Sequence, residues 1–193
     1  MWVRKSSIRP VASFARIDAH TLDSVRGLLL TDEGEAEDVL DEAFERFEES
    51  QPALAHKLGD VLGRPLGETA LALGYFLSLS VWLAFDKLHG RSLNQVTEEE
   101  LEATCELLAL DESLRQGDPN EQLETDDVVA MEQPALVRFV HEHLEATLDL
   151  HGESVDVSEL QQIYRAVLEE ILALSYAVRT PMGFPVTKAE VLA

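Results

Sequence analysis

From Thr69 to Phe85 the chain reads TALALGYFLSLSVWLAF, seventeen residues without one charged side chain. Leu and Ala dominate it, and both lose little side-chain freedom in a helix. A helix that is apolar all round is buried all round, or it crosses a membrane. Seventeen residues rise only about 25 Å as a helix, the lower limit for spanning a bilayer. Gly74, Ser78 and Ser80 lie inside the stretch, and acidic amphipathic segments stand on both sides of it. The stretch is therefore read as the buried central helix of an all-α domain. It runs from about Pro65 to Leu88 and is ended by Gly90. Membrane insertion is the reading it displaces.

Upstream, the spacing predicts a helix from about Glu35 to Ser50, with Leu40, Ala43, Phe44 and Phe47 on one face. Ser50-Gln51-Pro52 interrupts it, and Pro52 suits the first turn of a new helix with Leu54, Leu58, Val61 and Leu62 as its stripe. Thr21 is expected to cap a short helix through Leu30, ending near Thr31-Asp32-Glu33-Gly34. Downstream, Thr97 and Glu100 form a capping box for a helix whose stripe is Leu101, Cys105 and Leu108. Gly117 to Thr125 reads as an exposed acidic loop.

Pro134 opens a further helix, with Leu136, Val137, Val140, Leu144 and Leu148 facing inward and His151-Gly152 closing it. The last helix starts near Val157-Ser158 and buries Leu160, Ile163, Tyr164, Val167, Ile171, Leu174 and Val178, before Pro181 and Pro185 stop it. No strand pattern and no repeat period accompany these helices. The expected architecture is one all-helical domain over 21–180, with six or seven helices around Thr69–Phe85. Residues 1–20 form a basic N-terminal arm, and 181–193 a C-terminal tail.

The charge is the main anomaly of the composition. Thirty-seven acidic against fifteen basic residues give −22, unevenly spread. Residues 1–30 carry five basic and two acidic side chains, a net of +3. Residues 31–60 carry eleven acidic and two basic, a net of −9, and 98–127 carry twelve acidic and one basic, a net of −11. Such a field repels nucleic acid and anionic membranes and attracts basic partners. Four Lys against eleven Arg, with two Asn, also suit a GC-rich or salt-adapted genome. The single cysteine, Cys105, makes an intramolecular disulfide impossible, and the N-terminus lacks the apolar core of a secretory signal. A cytoplasmic setting is the expectation.

The densest run of chemistry-bearing side chains is Arg138-Phe139-Val140-His141-Glu142-His143. His141 and His143 stand about 200° apart on a helix and do not chelate one ion. Neither the paired Glu-x-x-His of di-iron bundles nor the His-Glu-x-x-His of zinc proteases occurs, so no metal and no cofactor is expected. Arg138 and His143 are about 140° apart, and Arg138 has an exposed ion-pair partner in Glu142 four residues on. Glu170 lies on the shoulder of the last apolar stripe, where a carboxylate must reach water or find a partner. His143 sits on a similar shoulder of the preceding helix and is the partner expected for Glu170, as a structural hydrogen bond ahead of an acid–base couple.

The candidate pocket therefore lies between the last two helices, with His143, Glu170 and Tyr164 in it and His141 and Arg138 beside it. Cys105, in an apolar stripe, reads as an inert thiol. No Gly-rich phosphate loop and no nucleophile elbow is present. The leading expectation is an acidic interaction protein that binds a basic protein partner or self-associates. A small-molecule or metal-dependent enzyme using the pocket is the alternative.

Overall fold

The computed structural model describes residues 6–29, 33–117, 123–152 and 155–184, with the side chains of 33–38 excepted. It is all-α. The helices are α1 (Ala19–Leu29), α2 (Glu33–Ser50), α3 (Pro52–Leu62), α4 (Glu68–His89), α5 (Glu98–Gln116), α6 (Thr125–Glu132), α7 (Pro134–His151) and α8 (Val157–Ala177). There is no strand among the described residues, only an isolated bridge between Leu93 and Val178.

The uncharged stretch is the centre of the fold. α4 packs against α8 above all, and also against α1, α2, α3 and α7. Every residue from Leu77 to Phe85 is buried. Trp82 and Phe85 are closed off completely, and the Trp82 ring lies 5.6 Å from that of Phe47 on α2. Glu68–Ser92 is the one segment among the described residues long and apolar enough to cross a membrane. Of its apolar window, 67% is buried within the protein, which is how a core helix satisfies the same composition. Gly74 allows the closest approach: a Cβ there would meet Leu62 of α3 at 2.8 Å and Ile163 of α8 at 3.3 Å.

Local signals set most boundaries. Thr97 and Glu100 form the capping box of α5: the Thr97 hydroxyl accepts from the Glu100 amide at 3.2 Å, and the Glu100 carboxylate accepts from the Thr97 amide at 2.9 Å. Gly90 ends α4 with φ of +46°, a conformation that a side chain would strain. Pro52 and Pro134 occupy the first turns of α3 and α7.

Four expectations need correction. The cap of α1 is Asp18, not Thr21: its carboxylate accepts the Thr21 amide at 2.7 Å, and Thr21 lies inside the helix. α6 is a helix that periodicity missed, because eight residues holding Val128 and Val129 side by side carry no stripe. The inward face of α7 ends early: Leu136, Val137 and Val140 are buried, but Leu144 is only half-buried and Leu148 is exposed. The N-terminal arm, finally, is no free arm over residues 6–20, because Ile8, Val11, Ala15 and Ile17 belong to the core.

An extended segment can be buried only where its backbone polar groups find partners. Here Glu132 accepts the Val11 amide at 2.9 Å, and Gln133 accepts the Ile17 amide at 3.0 Å while donating to the Ala15 carbonyl at 2.9 Å. Asp111 accepts from the Ser6 hydroxyl and the Ser7 amide. Residues 1–5, 30–32, 118–122, 153–154 and 185–193 lie outside the described residues. They include the first residues of the arm, the Thr31-Asp32 break, most of the acidic loop and most of the tail.

Candidate functional sites

Of the five side chains placed in a pocket between the last two helices, the structure brings two together. Tyr164, on α8, and His141, on α7, meet at 2.7 Å between the phenol oxygen and Nε2. The Tyr164 hydroxyl also donates to Asp126 of α6 at 3.3 Å. Its single proton being used there, His141 supplies the proton of the shorter bond. Burial first, then the Asp126 charge, pushes the phenol far above its ordinary range. At neutral pH Tyr164 is therefore a hydrogen-bond donor and not a base.

The other three stand apart. Glu170 points from α8 towards Ser78 of α4, deep in the core, and its Oε1 has no partner. Burial pushes its carboxyl up to about 8. It does not pair with His143, whose Nδ1 donates to the Phe139 carbonyl one turn back at 2.8 Å. The His143 ring packs against Phe139 and Phe76, 4.3 and 5.1 Å away. Arg138 is exposed beside a shallow depression between α1 and α7. Glu142, its expected partner, is bound instead by Arg26 of α1 at 3.2 Å. The helical spacing allowed either pair, and the docking of α1 on α7 selected the second.

Two polar clusters went unnoticed in the sequence. Asp111 is buried on α5 and held by Arg115, Ser6 and Thr125. Burial works to raise its carboxyl, but those three donors outweigh it and hold it below the ordinary range. The signal was legible, since Asp111 continues the stripe of Leu101, Thr104 and Leu108. The second cluster joins three helices: Lys57 of α3 reaches Glu169 of α8 at 2.6 Å and the Cys105 thiol of α5 at 2.8 Å. Arg165 binds Glu169 from its other side and also pairs with Glu112. Burial raises the Cys105 thiol above its ordinary range despite Lys57, so it stays protonated and a poor nucleophile at neutral pH.

Two concavities accompany these groups. A cleft of about 750 Å³ lies between α5, α6 and α8, and Tyr164, Asp126, Arg115, Arg165 and Glu112 are among the residues that line it. Both arginines are already bound to carboxylates, and the carboxylates of Glu124 and Asp126 line the cleft beside those ion pairs. A second, more apolar groove of about 480 Å³ lies between the first half of α4 and the second half of α7. Among the described residues, no group of three or more His, Cys, Asp or Glu side chains is arranged to hold a metal ion.

Compared with known proteins, the chain matches no family model, no curated protein and no solved structure.

Proposed function

We propose that the chain is a cytoplasmic interaction protein whose acidic surface binds a basic protein partner. The observation that carries this reading is how charge is distributed between surface and interior. The chain holds 37 acidic and 15 basic residues. Many of the few cations are committed within the fold: Arg16 to Glu132, Arg26 to Glu142, Arg46 to Asp86, Lys57 to Glu169, Arg115 to Asp111 and Arg165 to Glu112. The acids left over stand exposed on α2, α5, α6 and α7, including Glu45, Glu99, Asp127 and Glu145.

A field of that sign steers a basic partner and repels both nucleic acid and a second copy of the chain. Because the acids occupy four helices, charge supplies attraction and rate, while specificity has to come from shape.

Retention of native-lysate proteins on the immobilised chain at low and high salt tests this. One basic protein, released as salt rises and rebinding once purified, is the expected result. An empty column, or retention indifferent to charge, overturns it. Thermal unfolding against salt separates partner binding from salt adaptation, since a salt-adapted surface unfolds at low salt as its acids repel one another.

A second reading, a small-molecule enzyme, is favoured by the Tyr164–His141 bond beside the 750 Å³ cleft. It expects a ligand that raises the melting temperature of the wild type but not of Tyr164→Phe. A screen without such a ligand disposes of it.

A further inference from the structure

We infer that the groove between the first half of α4 and the second half of α7 seats a basic amphipathic helix of the partner. This rests on the basic-partner reading and adds the place and the shape. The apolar pattern of α7 outlasts its core. It is buried to Val140, yet from His141 to His151 no residue is buried, and Leu150 is 77% exposed. Across from it on α4, Ala72 is exposed and Thr69 and Phe76 are half-buried, although every residue from Leu77 to Phe85 is buried.

The groove has the form of a helix seat. α4 lines it with Thr69, Ala72 and Phe76, and α7 with His143, Ala146 and Leu150. Each set recurs at three or four residues, so each is one helical face. Phe76 packs on His143 at one end, while Glu68 and His151 both line the other, so the two helices run antiparallel. Eight residues of rise make the groove about 12 Å long, roughly two helical turns. Small side chains in its middle, Ala72 and Ala146, let a third backbone come close, and Phe76 and Leu150 stand at its ends as ridges.

Charge identifies the occupant. Glu142 is already bound by Arg26, whereas Glu68 lines the groove and Asp149, next to Leu150 on α7, is exposed. A second copy would lay these same carboxylates against their equivalents, in a chain already at −22. A partner helix with aliphatic residues at i, i+4 and i+7 and Lys or Arg on its flanks satisfies both the apolar face and the acidic edge.

The test uses a synthetic helical peptide of Leu and Lys with that pattern, a scrambled peptide of the same composition, and calorimetric titration. The patterned peptide is expected to bind wild type more tightly than the scrambled one. Leu150→Asp is expected to weaken it roughly tenfold or more through loss of one buried aliphatic contact. That substitution adds a negative charge, so binding by charge alone would instead tighten.

Glu99→Gln on α5, away from the groove, should leave the affinity within about twofold, as an exposed charge does. Unchanged or tighter binding by Leu150→Asp overturns the groove and leaves the basic-partner reading standing. Failure of both peptides to bind wild type overturns both. A wild-type dimer in sedimentation that Leu150→Asp dissociates makes the occupant a second copy and also overturns the inference.

Discussion

The two ends of the α4–α7 pair are built of the same kinds of residue and meet opposite fates. At one end, Leu77 to Phe85 of α4 and Leu136, Val137, Phe139 and Val140 of α7 are closed in by neighbouring helices, with Trp82 and Val140 among the residues most fully removed from water. At the other end, Ala72, Phe76, Ala146 and Leu150 face the open groove. The difference lies in what stands alongside. α2 and its Phe47 ring cover the closed end of α4, whereas at the open end α2 reaches only Tyr75, through Phe44, and leaves the groove side uncovered among the described residues. Apolar composition calls for burial, and the neighbours decide whether this chain supplies it alone.

The widest contrast to measure is between Trp82→Ala and Leu150→Ala in denaturant unfolding. Trp82→Ala is expected to cost roughly 3–5 kcal/mol, the range for deleting a closed-in aromatic. A loss below about 1 kcal/mol would mean the closed end is not the core.

The next effect concerns Glu170 in the closed end. Its carboxyl titrates at about 8, against an ordinary value of 4.5, because burial disfavours the charge and Ser78 only partly offsets that. The folded chain therefore holds a proton that the unfolded chain has already released. Stability contributed by this group is full below the ordinary carboxylate range and is lost as pH rises through about 8. The slope is on the order of 1.4 kcal/mol per pH unit across that window. Glu170→Gln should remove that component of the slope and be the more stable chain above its end. Parallel stability profiles for the two chains would refute the buried, unpartnered acid.

Gly74→Ala probes the boundary between the two ends. A methyl there presses on Leu62 and Ile163, and a loss of about 1–2 kcal/mol is expected in the same unfolding assay. A gain, of the size that Ala's helix propensity offers, would show that α3 yields easily. Smallest is Leu150→Ala, expected within about 0.5 kcal/mol of wild type because so little of it is covered. A larger loss would close the groove as a docking surface.

Legibility along the chain followed how local the cause was. The box of Thr97 and Glu100, the prolines at 52 and 134 and the glycine at 90 are signals within a few residues, and each stands where its chemistry places it. The candidate site was legible only in part. His141 and Tyr164 do meet, but Asp126, which completes the chain of bonds, comes from a helix with no periodic stripe. Glu170 was recognisable as a carboxylate on an apolar shoulder. Its position against Ser78 instead of His143 depends on how α8 turns toward α4.

By itself the sequence determined the all-helical class, the central place of Thr69–Phe85 and the excess of negative charge, since these follow from composition and from a period of 3.6 residues. Only the tertiary structure decided that Ile8, Val11, Ala15 and Ile17 belong to the core, that Glu142 binds Arg26, and that the inward face of α7 ends at Val140. Those outcomes depend on contacts between residues a hundred or more positions apart, as with Val11 and Glu132. A helical pattern records which side of a helix is apolar but not which neighbour will arrive to cover it.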